Sequence, residues 1–521
     1  MRQLPGRVAV ATASLVAAAG VTAFAGAATA EAATTAAGFY INGAGYGHGV
    51  GMSQYGALGF AQHGFSYRSI LSHYYRDTTL SHVSPIRTVT VLVKNGAAAF
   101  SGADRFRSGG IVSVPQPKPR KGTHKQPPVR LKLKPGTTYS VLSSKGQLKL
   151  VAGGREIGVV KPPLAVGGDG PLTVPGVGTY HGQLQFRPRP KGGVQTINAV
   201  DIEDYVRGVV PSEMPSTWPS QALEAQAVAA RTYVIASAAV NPLFDVYDDT
   251  RSQVYRGVGA ETPTGNAAES ATRGQVVDYA GQPVTTYFFS SSGGYTESVQ
   301  NVFLGVAPEA WLIGVPDPYD NADGNPYYRW HENLSVGAAA HTLGKLVKGQ
   351  LEGIKVLQHG VSPRVVQAAI VGTRGTTNVS GPRLRKLFNL RSTYMSFMTI
   401  KTKSVTSTTA PPKPGAPTPS TTSKSGARTM TVTTPTVTSS GGGGLSAHAR
   451  RGAKLHHELQ GTTFPAVAGQ VVLAQRLVAG GWSRAGVGRL TTEGSYEIPV
   501  ADRGLYRVVY QGVEGPAVSV N

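Results

Sequence analysis

The stretch over residues 209–233 most constrains how this chain can fold, because a proline-rich segment there leads directly into an alanine-rich one. The apolar positions of the alanine-rich segment recur at helical spacing: Leu223, Ala227, Ala230, Val234 and Ala238. A helix face made mostly of alanine packs closely against other backbone rather than filling a bulky core. We therefore predict a helix that has Pro219 in its first turn and Ser216 or Thr217 as its cap.

The proline-rich half, residues 211–215, is predicted to be a tight loop, and Glu213 lies within it. Burial against Met214 and Trp218 would raise the pKa of this carboxyl group and suit it to general-acid chemistry near neutral pH. A helix N-terminus directly after the loop would favour the carboxylate instead. The residues alone leave two interpretations open: an acid catalyst, or a residue that only caps the helix region.

Composition and the N-terminal residues bound the class of protein. The chain has 521 residues and no cysteine, which excludes disulfides, thiolate metal sites and a cysteine nucleophile. Residues 1–33 combine a basic start, an apolar run and small-x-small cleavage sites, as is typical of a secretory signal. The formal net charge of +22 favours anionic wall polymers as partners. We expect a secreted protein of the cell wall or extracellular space without nucleic-acid partners, and a membrane partner only if the signal stays uncleaved.

Glycine dominates the segment that follows the predicted signal. Gly43, Gly45, Gly47, Gly49 and Gly51 alternate with other residues. Alternation predicts an extended segment with one bare side, which another backbone or a polymer can approach. Two short helices are predicted next, one from near Ser53 to Gly64 and one over residues 67–75.

The middle of the chain is predicted to be β structure over residues 85–186, interrupted by a basic, proline-rich insertion over residues 115–134. This insertion is either a mobile contact to the anionic wall or an idle solvated loop.

The acids Glu203 and Asp204 are predicted to face solvent. Residues 283–290 are predicted to form a strand, and the serines and glycines that follow over residues 290–297 offer groups that suit a sugar.

Two further segments complete the organisation. Residues 401–444 are dominated by Thr, Ser, Pro and Gly, which predicts a flexible linker. Residues 465–521 are predicted to form a small all-β domain resembling an immunoglobulin-like sandwich, with Trp482, Tyr496 and Tyr506 in packing roles. The predicted fold class of the whole chain is α+β.

Several contiguous segments resemble the SpoIID/LytB family of cell-wall proteins. The matching segments are residues 47–57, 70–75, 210–215, 222–233, 290–297, 380–385 and 390–394. The resemblance covers residues 39–400 and implies a SpoIID-like mixed domain with a glycan cleft. The segment over residues 47–57 lies near the C-terminus of the sporulation members but comes first here. This permuted order requires the two ends of the domain to lie close together.

The resemblance also implies roles for individual residues. Glu213 matches the catalytic acid/base of a lytic transglycosylase. Residues expected to contact the substrate in the same cleft are His48, Gln54, Arg231, Tyr233, Gln253, Tyr255, Ser290, Ser292, Gly293, Gly294 and Thr296. In sporulation members two cysteines serve a zinc site where this chain has Tyr247 and Ser252. We therefore expect no metal and no cofactor.

The function implied is cleavage of the MurNAc–GlcNAc bonds of peptidoglycan strands to give anhydro-muramyl ends, with one glutamate as acid and base. Three alternatives stay open. Glu297 could supply the second carboxylate of a hydrolase. The chain could instead be a non-catalytic, LytB-like wall-binding protein that enhances a wall amidase, which would then be its partner. It could also be a basic adhesive surface protein whose groove is vestigial.

Overall fold

The computed structural model describes residues 37–84, 87–116, 130–237, 242–322, 324–406 and 455–520. The described part mixes helices and strands, which confirms the predicted α+β class. The predicted signal at residues 1–33 lies outside the described residues, as do most of the basic insertion and most of the predicted linker. No helix in the described ranges combines the length and the apolar character needed to span a membrane.

The helices are short, apart from one long element in the middle of the chain. They are α1 (Gln54–Gln62), α2 (Tyr67–Tyr74), α3 (Ile202–Glu213), α4 (Ser220–Ala236), α5 (Pro263–Ala271), α6 (Val299–Val302), α7 (Val336–Leu343) and α8 (Gly381–Leu387), with single 3-10 turns at Gly257–Ala260 and Gly344–Leu346. The two predicted helices after the glycines are confirmed as α1 and α2. Ser53 and Ser66 cap them, each accepting a backbone N–H of the first turn.

The strands fall into two runs along the chain. Those before α3 are β1 (Ala37–Gly43), β2 (Met52–Ser53), β3 (Thr79–His82), β4 (Thr88–Gly96), β5 (Ala98–Phe100), β6 (Arg105–Arg107), β7 (Ile111–Ser113), β8 (Tyr139–Ser144), β9 (Gln147–Ala152), β10 (Arg155–Val160), β11 (Leu164–Gly167), β12 (Leu172–Val174), β13 (Gly178–Tyr180), β14 (Gln183–Pro188) and β15 (Val194–Asp201). Those after α4 are β16 (Val246–Tyr247), β17 (Gln275–Tyr279), β18 (Gln282–Pro283), β19 (Phe288–Phe289), β20 (Trp330–Ser335), β21 (Leu351–His359), β22 (Val365–Gly372), β23 (Gly375–Ser380), β24 (Met395–Thr406), β25 (Leu455–Phe464), β26 (Val471–Val478), β27 (Gly481–Arg489), β28 (Ser495–Val500), β29 (Gly504–Tyr510), β30 (Val513–Glu514) and β31 (Val518–Val520). The strand predicted over residues 283–290 is wrong in extent, since only the short β18 and β19 form there.

The predicted alanine-rich helix is α4, and its alanine face is buried. Ala222, Ala225, Ala227, Ala229 and Ala230 have no exposed surface and belong to the largest apolar core. That core joins α1–α5 to a six-stranded sheet with the strand order β16-β4-β15-β14-β11-β6. The close packing expected of an alanine face is therefore present.

The structure corrects the start of α4 and the loop before it. Pro219 is itself the N-cap of α4, and no side chain caps this helix. The proline-rich segment is not a loop, because α3 continues through Pro211 and ends at Glu213. The last turn of α3 is held by other bonds: Met214 donates its N–H to Val210 O at 3.0 Å, and Ser212 Oγ donates to Gly208 O at 2.7 Å. These bonds offset the one that the proline nitrogen lacks.

One five-stranded sheet joins distant parts of the chain in the order β20-β1-β24-β25-β28. The antiparallel pairing of β1 with β24 sets Ala37 opposite Lys401, so the two ends of the predicted domain meet as the permuted order requires. Strand β24 runs to Thr406, into the first residues of the predicted linker. Strand β25 begins at Leu455, before the predicted C-terminal domain.

The C-terminal strands pack on that shared sheet rather than enclosing a separate core. Strands β26, β27, β29, β30 and β31 form a second sheet. A common apolar core joins Val472 and Val508 of this sheet to Met398 and Ile400 of β24. The core of the C-terminal part therefore includes a strand that precedes the predicted linker.

The alternating glycines do not form an open, extended surface. Gly45, Gly47, Gly49 and Gly51 all have positive φ, between 72° and 113°. A Cβ at Gly45 would lie 2.5 Å from Ser291 O, and a Cβ at Gly49 would clash with the Arg364 side chain. The segment was predicted to be approachable by a backbone or a polymer, and what approaches it is the protein's own chain.

Candidate functional site

A cavity of about 490 Å³ brings together segments that are far apart in the sequence. Its lining comes from the glycine-rich segment, α1, the end of α3, the loop after β16, β19 and α8. The lining residues are Tyr46, Gly47, His48, Gln54, Glu213, Thr250, Ser252, Phe288, Phe289, Ser290 and Arg385. Four residues predicted from the sequence to share one cleft, His48, Gln54, Glu213 and Ser290, lie in this cavity.

Glu213 is the last residue of α3, and its carboxyl group is mostly removed from solvent. Burial raises the pKa of this group, while hydrogen bonds from Val254 and Gln54 act in the opposite direction. The Val254 N–H donates to Oε1 at 2.6 Å, which leaves Oε2 as the oxygen that can carry a proton. Glu213 lies at the C-terminal end of α3 and also precedes α4, which begins at Ser220. The negative end of the α3 dipole therefore adds to burial in favouring the protonated form.

Gln54 and His48 form part of the wall around Glu213. Gln54 is buried in α1 and donates from Nε2 to Glu213 O at 3.2 Å. His48 Nδ1 accepts the Val50 N–H at 3.1 Å. Burial, together with the charges of Arg364 and Arg385, lowers the pKa of His48 to about 3. The imidazole is therefore neutral at physiological pH and supplies no proton at the start of a reaction.

Gln253 and Tyr255, predicted to contact substrate, do not line the cavity. Both are buried, and they flank Val254. Tyr205 donates its hydroxyl to Gln253 Oε1 at 2.8 Å, and the Tyr255 hydroxyl donates to Asn198 Oδ1 at 2.8 Å. These two anchors fix the loop on both sides of Val254, so they position the N–H that binds Glu213.

Arg231 and Tyr233 of α4 also lie outside the cavity lining. Arg231 has no exposed surface and pairs with Glu203, with 2.6 Å between Nη2 and Oε2. Glu203 was predicted to face solvent; it is 1% exposed, because it is the partner of this buried guanidinium. Tyr233 packs against Tyr287 with 5.9 Å between ring centroids. The tertiary contacts thus give Arg231 a structural partner instead of a ligand.

Most of the predicted serine and glycine contacts hold their own loop together. Ser292 Oγ accepts the Gly294 N–H at 2.9 Å, and the Gly293 N–H donates to Asp320 Oδ2 at 2.8 Å. Thr296 Oγ1 accepts the Val315 N–H at 2.8 Å. Of this predicted group, Ser290 is the residue that lines the cavity.

Asp320 is a buried organiser of the site that sequence reasoning missed. It accepts hydrogen bonds from Ser53 Oγ at 2.6 Å and from Ser291 Oγ at 2.8 Å. It thereby ties the cap of α1, next to Gln54, to the loop that carries Ser290. No sequence motif marked this aspartate, because its distant partners come from two separate segments, one at Ser53 and one at residues 291–293.

Glu297, named as the second carboxylate of a possible hydrolase, is also outside the cavity lining. It has no exposed surface and accepts hydrogen bonds from Ser362 Oγ at 2.6 Å and Asn301 Nδ2 at 2.8 Å. Further backbone N–H groups of Val361 and Ser362 fill its remaining acceptor positions. The carboxylate is held in place as a structural group.

Arg385, Tyr46 and Thr250 line the cavity without having been predicted as site residues. Arg385 lies in one of the segments that resemble the family, but the sequence gives no sign that this arginine, rather than Arg383, faces the site. In the loop that replaces the zinc site of sporulation members, the Tyr247 N–H donates to Ser252 Oγ at 3.2 Å. The described residues hold no group of three or more His, Cys, Asp or Glu side chains placed to bind a metal.

Comparison with known proteins yields one family model and several relatives. The model of the stage II sporulation protein SpoIID matches residues 190–279, which include Glu213, α4 and the Val254 loop. Stage II sporulation protein D of Bacillus subtilis (strain 168) is 30% identical over 215 residues, or 38% of this chain and 60% of the relative. The amidase enhancer of the same organism is 39% identical over 130 residues, or 25% of this chain and 17% of the relative.

An uncharacterized protein of Brachyspira hyodysenteriae (strain ATCC 49526 / WA1) is 40% identical over 194 residues, or 36% of this chain and 50% of the relative. The chain thus spans about half of the length of the curated relatives with the longest matches. The matched model and the sporulation and amidase-enhancer relatives confirm the resemblance drawn from the sequence motifs. The chain is similar to the SpoIID/LytB family over the part that these comparisons cover, and the family model matches residues 190–279.

Proposed function

We propose that this protein is secreted to the cell wall, where it binds peptidoglycan glycan strands and cleaves them between MurNAc and GlcNAc as a lytic transglycosylase. Its relatives include a sporulation protein D and an amidase enhancer, and this combination supports a role in peptidoglycan remodelling. The high positive charge of the chain suits retention on an anionic wall.

The main support for the proposal is the raised pKa of the Glu213 carboxyl group. Glu213 is the one carboxylate among the described residues that line the cavity, and burial raises its pKa. A carboxyl group that stays protonated at higher pH than usual can act as a general acid. Hydrolases use a second carboxylate about 5–10 Å from the first. The buried, fully bonded state of Glu297 argues against that arrangement.

The reaction needs only this one group. Glu213 donates its proton to the glycosidic oxygen as the bond between that oxygen and C1 of MurNAc breaks. The C6 hydroxyl oxygen of the same sugar forms a new bond to C1, and the Glu213 carboxylate takes the hydroxyl proton. No water is consumed, Glu213 returns to its protonated form, and the product has a 1,6-anhydro-muramyl end.

The Val254 N–H suits both halves of this cycle. It holds Oε1 by a hydrogen bond, so in the protonated form of Glu213 the proton is carried by Oε2. After proton donation the same N–H stabilises the carboxylate, which keeps the base within reach of the C6 hydroxyl. Gln253 and Tyr255 are positioning residues in this scheme because they fix the backbone of Val254.

A second candidate function is non-catalytic wall binding that enhances a wall amidase. The 39% identity to an amidase enhancer favours it, as does the replacement of the expected zinc-site cysteines by Tyr247 and Ser252. In this case the same cavity would hold a glycan strand without chemistry, and a wall amidase would be the protein's partner.

Mass spectrometry of purified glycan strands separates these functions. Intact strands and peptide-stripped strands are incubated with the mature protein, with Glu213→Gln and with the control Glu224→Gln. Glu224 is a half-buried glutamate of α4 outside the cavity. Anhydro-muramyl ends from the wild type and the control, but not from Glu213→Gln, support the proposal. Reducing ends indicate a hydrolase. If the protein binds strands but produces no new ends, the result indicates the amidase-enhancing function. If it does not bind strands, the result indicates an adhesive surface protein.

A further inference from the structure

We infer that Arg385 forms a carboxylate-binding subsite in the cavity that contains Glu213, and that its ligand is a carboxylate carried by the glycan strand. The inference rests on the proposed function, because the bound strand is what brings the carboxylate into the cavity. It adds a determinant of specificity to a site whose other lining groups are neutral apart from Glu213.

The position of Arg385 is fixed by the fold. The residue lies in α8, is half-buried and lines the same cavity as His48 and Glu213. Its Nε donates to Leu390 O at 3.2 Å, which holds the plane of the guanidinium. The described residues offer the two terminal nitrogens no hydrogen-bond acceptor. A fixed guanidinium with free terminal donors is preorganised for a two-oxygen anion.

Arg385 differs from Arg231 and Arg207 because it has no carboxylate partner among the described residues. Arg231 pairs with Glu203, and Arg207 pairs with Glu269 at 2.8 Å. No aspartate or glutamate of the described residues raises the pKa of Arg385, which burial lowers; the Tyr46 hydroxyl acts in the other direction. A partly desolvated cation without a counter-charge is unfavourable, and an anionic ligand would relieve this cost.

A second guanidinium behind the first strengthens the positive potential. Arg364 is 1% exposed, and its positive charge and that of Arg385 both lower the pKa of His48. Glu297 and Asp320 offset the charge of Arg364. The neutral His48 ring does not compete for an anion. Arg385 is therefore the uncompensated cation that faces the cavity.

A carboxylate fits this site better than a neutral sugar group does. Planar carboxylates accept two parallel N–H bonds from a guanidinium, which hydroxyl and acetamido groups do not. On a peptidoglycan strand the carboxylate has two sources: the lactyl group of muramic acid where the peptide has been removed, and the stem peptide where it is present. Both sources present the same chemistry to Arg385.

The test measures binding with chemistry blocked by Glu213→Gln. The ligands are peptide-stripped muramyl glycan fragments, the same fragments with the lactyl carboxylate converted to an amide, and fragments with intact stem peptides. Each is titrated against the blocked protein alone and with Arg385→Gln, Arg385→Lys or Arg383→Gln added. Arg383 is an exposed arginine of the same helix and outside the cavity lining, which makes it a matched control.

We expect Arg385→Gln to weaken binding of carboxylate-bearing fragments by at least about tenfold, to leave binding of the amidated fragments unchanged, and to be partly rescued by Arg385→Lys. Arg383→Gln should have no effect. A loss confined to stripped fragments assigns the lactyl carboxylate, and a loss confined to intact fragments assigns the stem peptide.

Two outcomes overturn the inference alone. In one, the protein with Arg385 binds free and amidated fragments equally well, a comparison that needs no variant at Arg385. In the other, Arg385→Gln weakens both kinds of fragment to the same extent, as a structural defect would. If none of the protein variants binds any of the fragments, the proposed function and this inference are overturned together.

Discussion

Glu213 differs from a surface glutamate in two respects, its burial and its single short bond to the Val254 N–H. Burial penalises the anion, so ionisation of Glu213 above its ordinary pKa of 4.5 costs folding free energy. The same penalty shifts Glu213 towards its protonated form, in which it can act as an acid. Function and stability are therefore opposed at this residue.

We expect Glu213→Gln to lower glycan cleavage by about a hundredfold to ten-thousandfold, the range of general acid catalysis.

The same variant should raise the thermal midpoint at neutral pH, because glutamine fills the site without an anion. The rise should disappear below about pH 4, where the glutamate of both folded and unfolded chains is protonated. Thermal unfolding followed by circular dichroism from pH 3.5 to 8 measures this. A lower midpoint at neutral pH would mean that the carboxylate is a stabilising group.

His48 gives a pH dependence of the opposite sign. Its folded-state pKa is about 3 against an ordinary value of 6.5, so the unfolded chain takes up a proton before the folded chain does. Stability should therefore fall as the pH drops from about 6.5 towards 3. His48→Asn keeps an acceptor for the Val50 N–H and does not titrate, so its stability should fall less steeply over this window.

Thermal midpoints measured at half-unit pH steps check this prediction. His82→Asn replaces an exposed histidine and serves as the control. If wild type and His48→Asn lose stability in parallel on acidification, His48 is not the group responsible.

At the scale of elements, a buried ion pair fastens α3 to α4. Arg231 and Glu203 are 0% and 1% exposed, and the Glu203 carboxylate also accepts the Gly274 N–H at 3.1 Å. The pair connects the helix that ends at Glu213 to the helix that follows it. Breaking the pair by Arg231→Met leaves Glu203 buried without its cation and should cost about 3–5 kcal/mol of folding free energy.

Denaturant unfolding of Arg231→Met checks that cost. The matched control is Arg251→Met, since the Arg251–Asp249 pair has a similar 2.8 Å separation but is 59% and 42% exposed. This control should lose no more than about 1 kcal/mol. Replacing both Glu203 and Arg231 by methionine should restore part of the loss. A cost for Arg231→Met as small as that of the control would show that the pair does not fasten the helices.

At the scale of the whole molecule, the shared five-stranded sheet holds the C-terminal part against the rest. Strands β24 and β25 pair antiparallel on either side of residues 407–454, and their sheet shares with the second sheet the apolar core that contains Met398 and Val508. We therefore expect the protein to stay associated after its chain is cut between these strands.

A protease site inserted among residues 415–440 tests this association. After cleavage the two fragments should co-elute in gel filtration and separate only in denaturant, because the paired strands and the apolar core remain intact. As a control, the C-terminal fragment produced alone should be less soluble, since it leaves the edge of β25 unpaired and its apolar core without Met398 and Ile400 of β24. Separation of the cut fragments in native buffer would contradict the shared core.

The sequence by itself determined the features that follow from hydrophobic spacing, from helix-start and turn residues, and from contiguous motifs. Helical spacing of apolar residues predicted α4, the residues after the glycines predicted α1 and α2, and the composition of residues 85–186 predicted β structure there. The family motifs pointed to Glu213 with His48, Gln54 and Ser290. These features depend on local backbone preferences or on contiguous sequence motifs, both of which can be read directly from a sequence.

Only the tertiary structure decided what each polar residue does. Arg231, Gln253, Tyr255 and Glu297 look like site residues in the sequence, but partners from distant segments turn them inward. Asp320 lies in no family motif, and Arg385 lies in a matching segment that does not single it out, yet Arg385 lines the cavity and Asp320 binds the loop that carries Ser290. The physical reason is that a buried polar group takes its role from whichever partner satisfies its hydrogen bonds and charge, and that partner is fixed by packing between segments hundreds of residues apart.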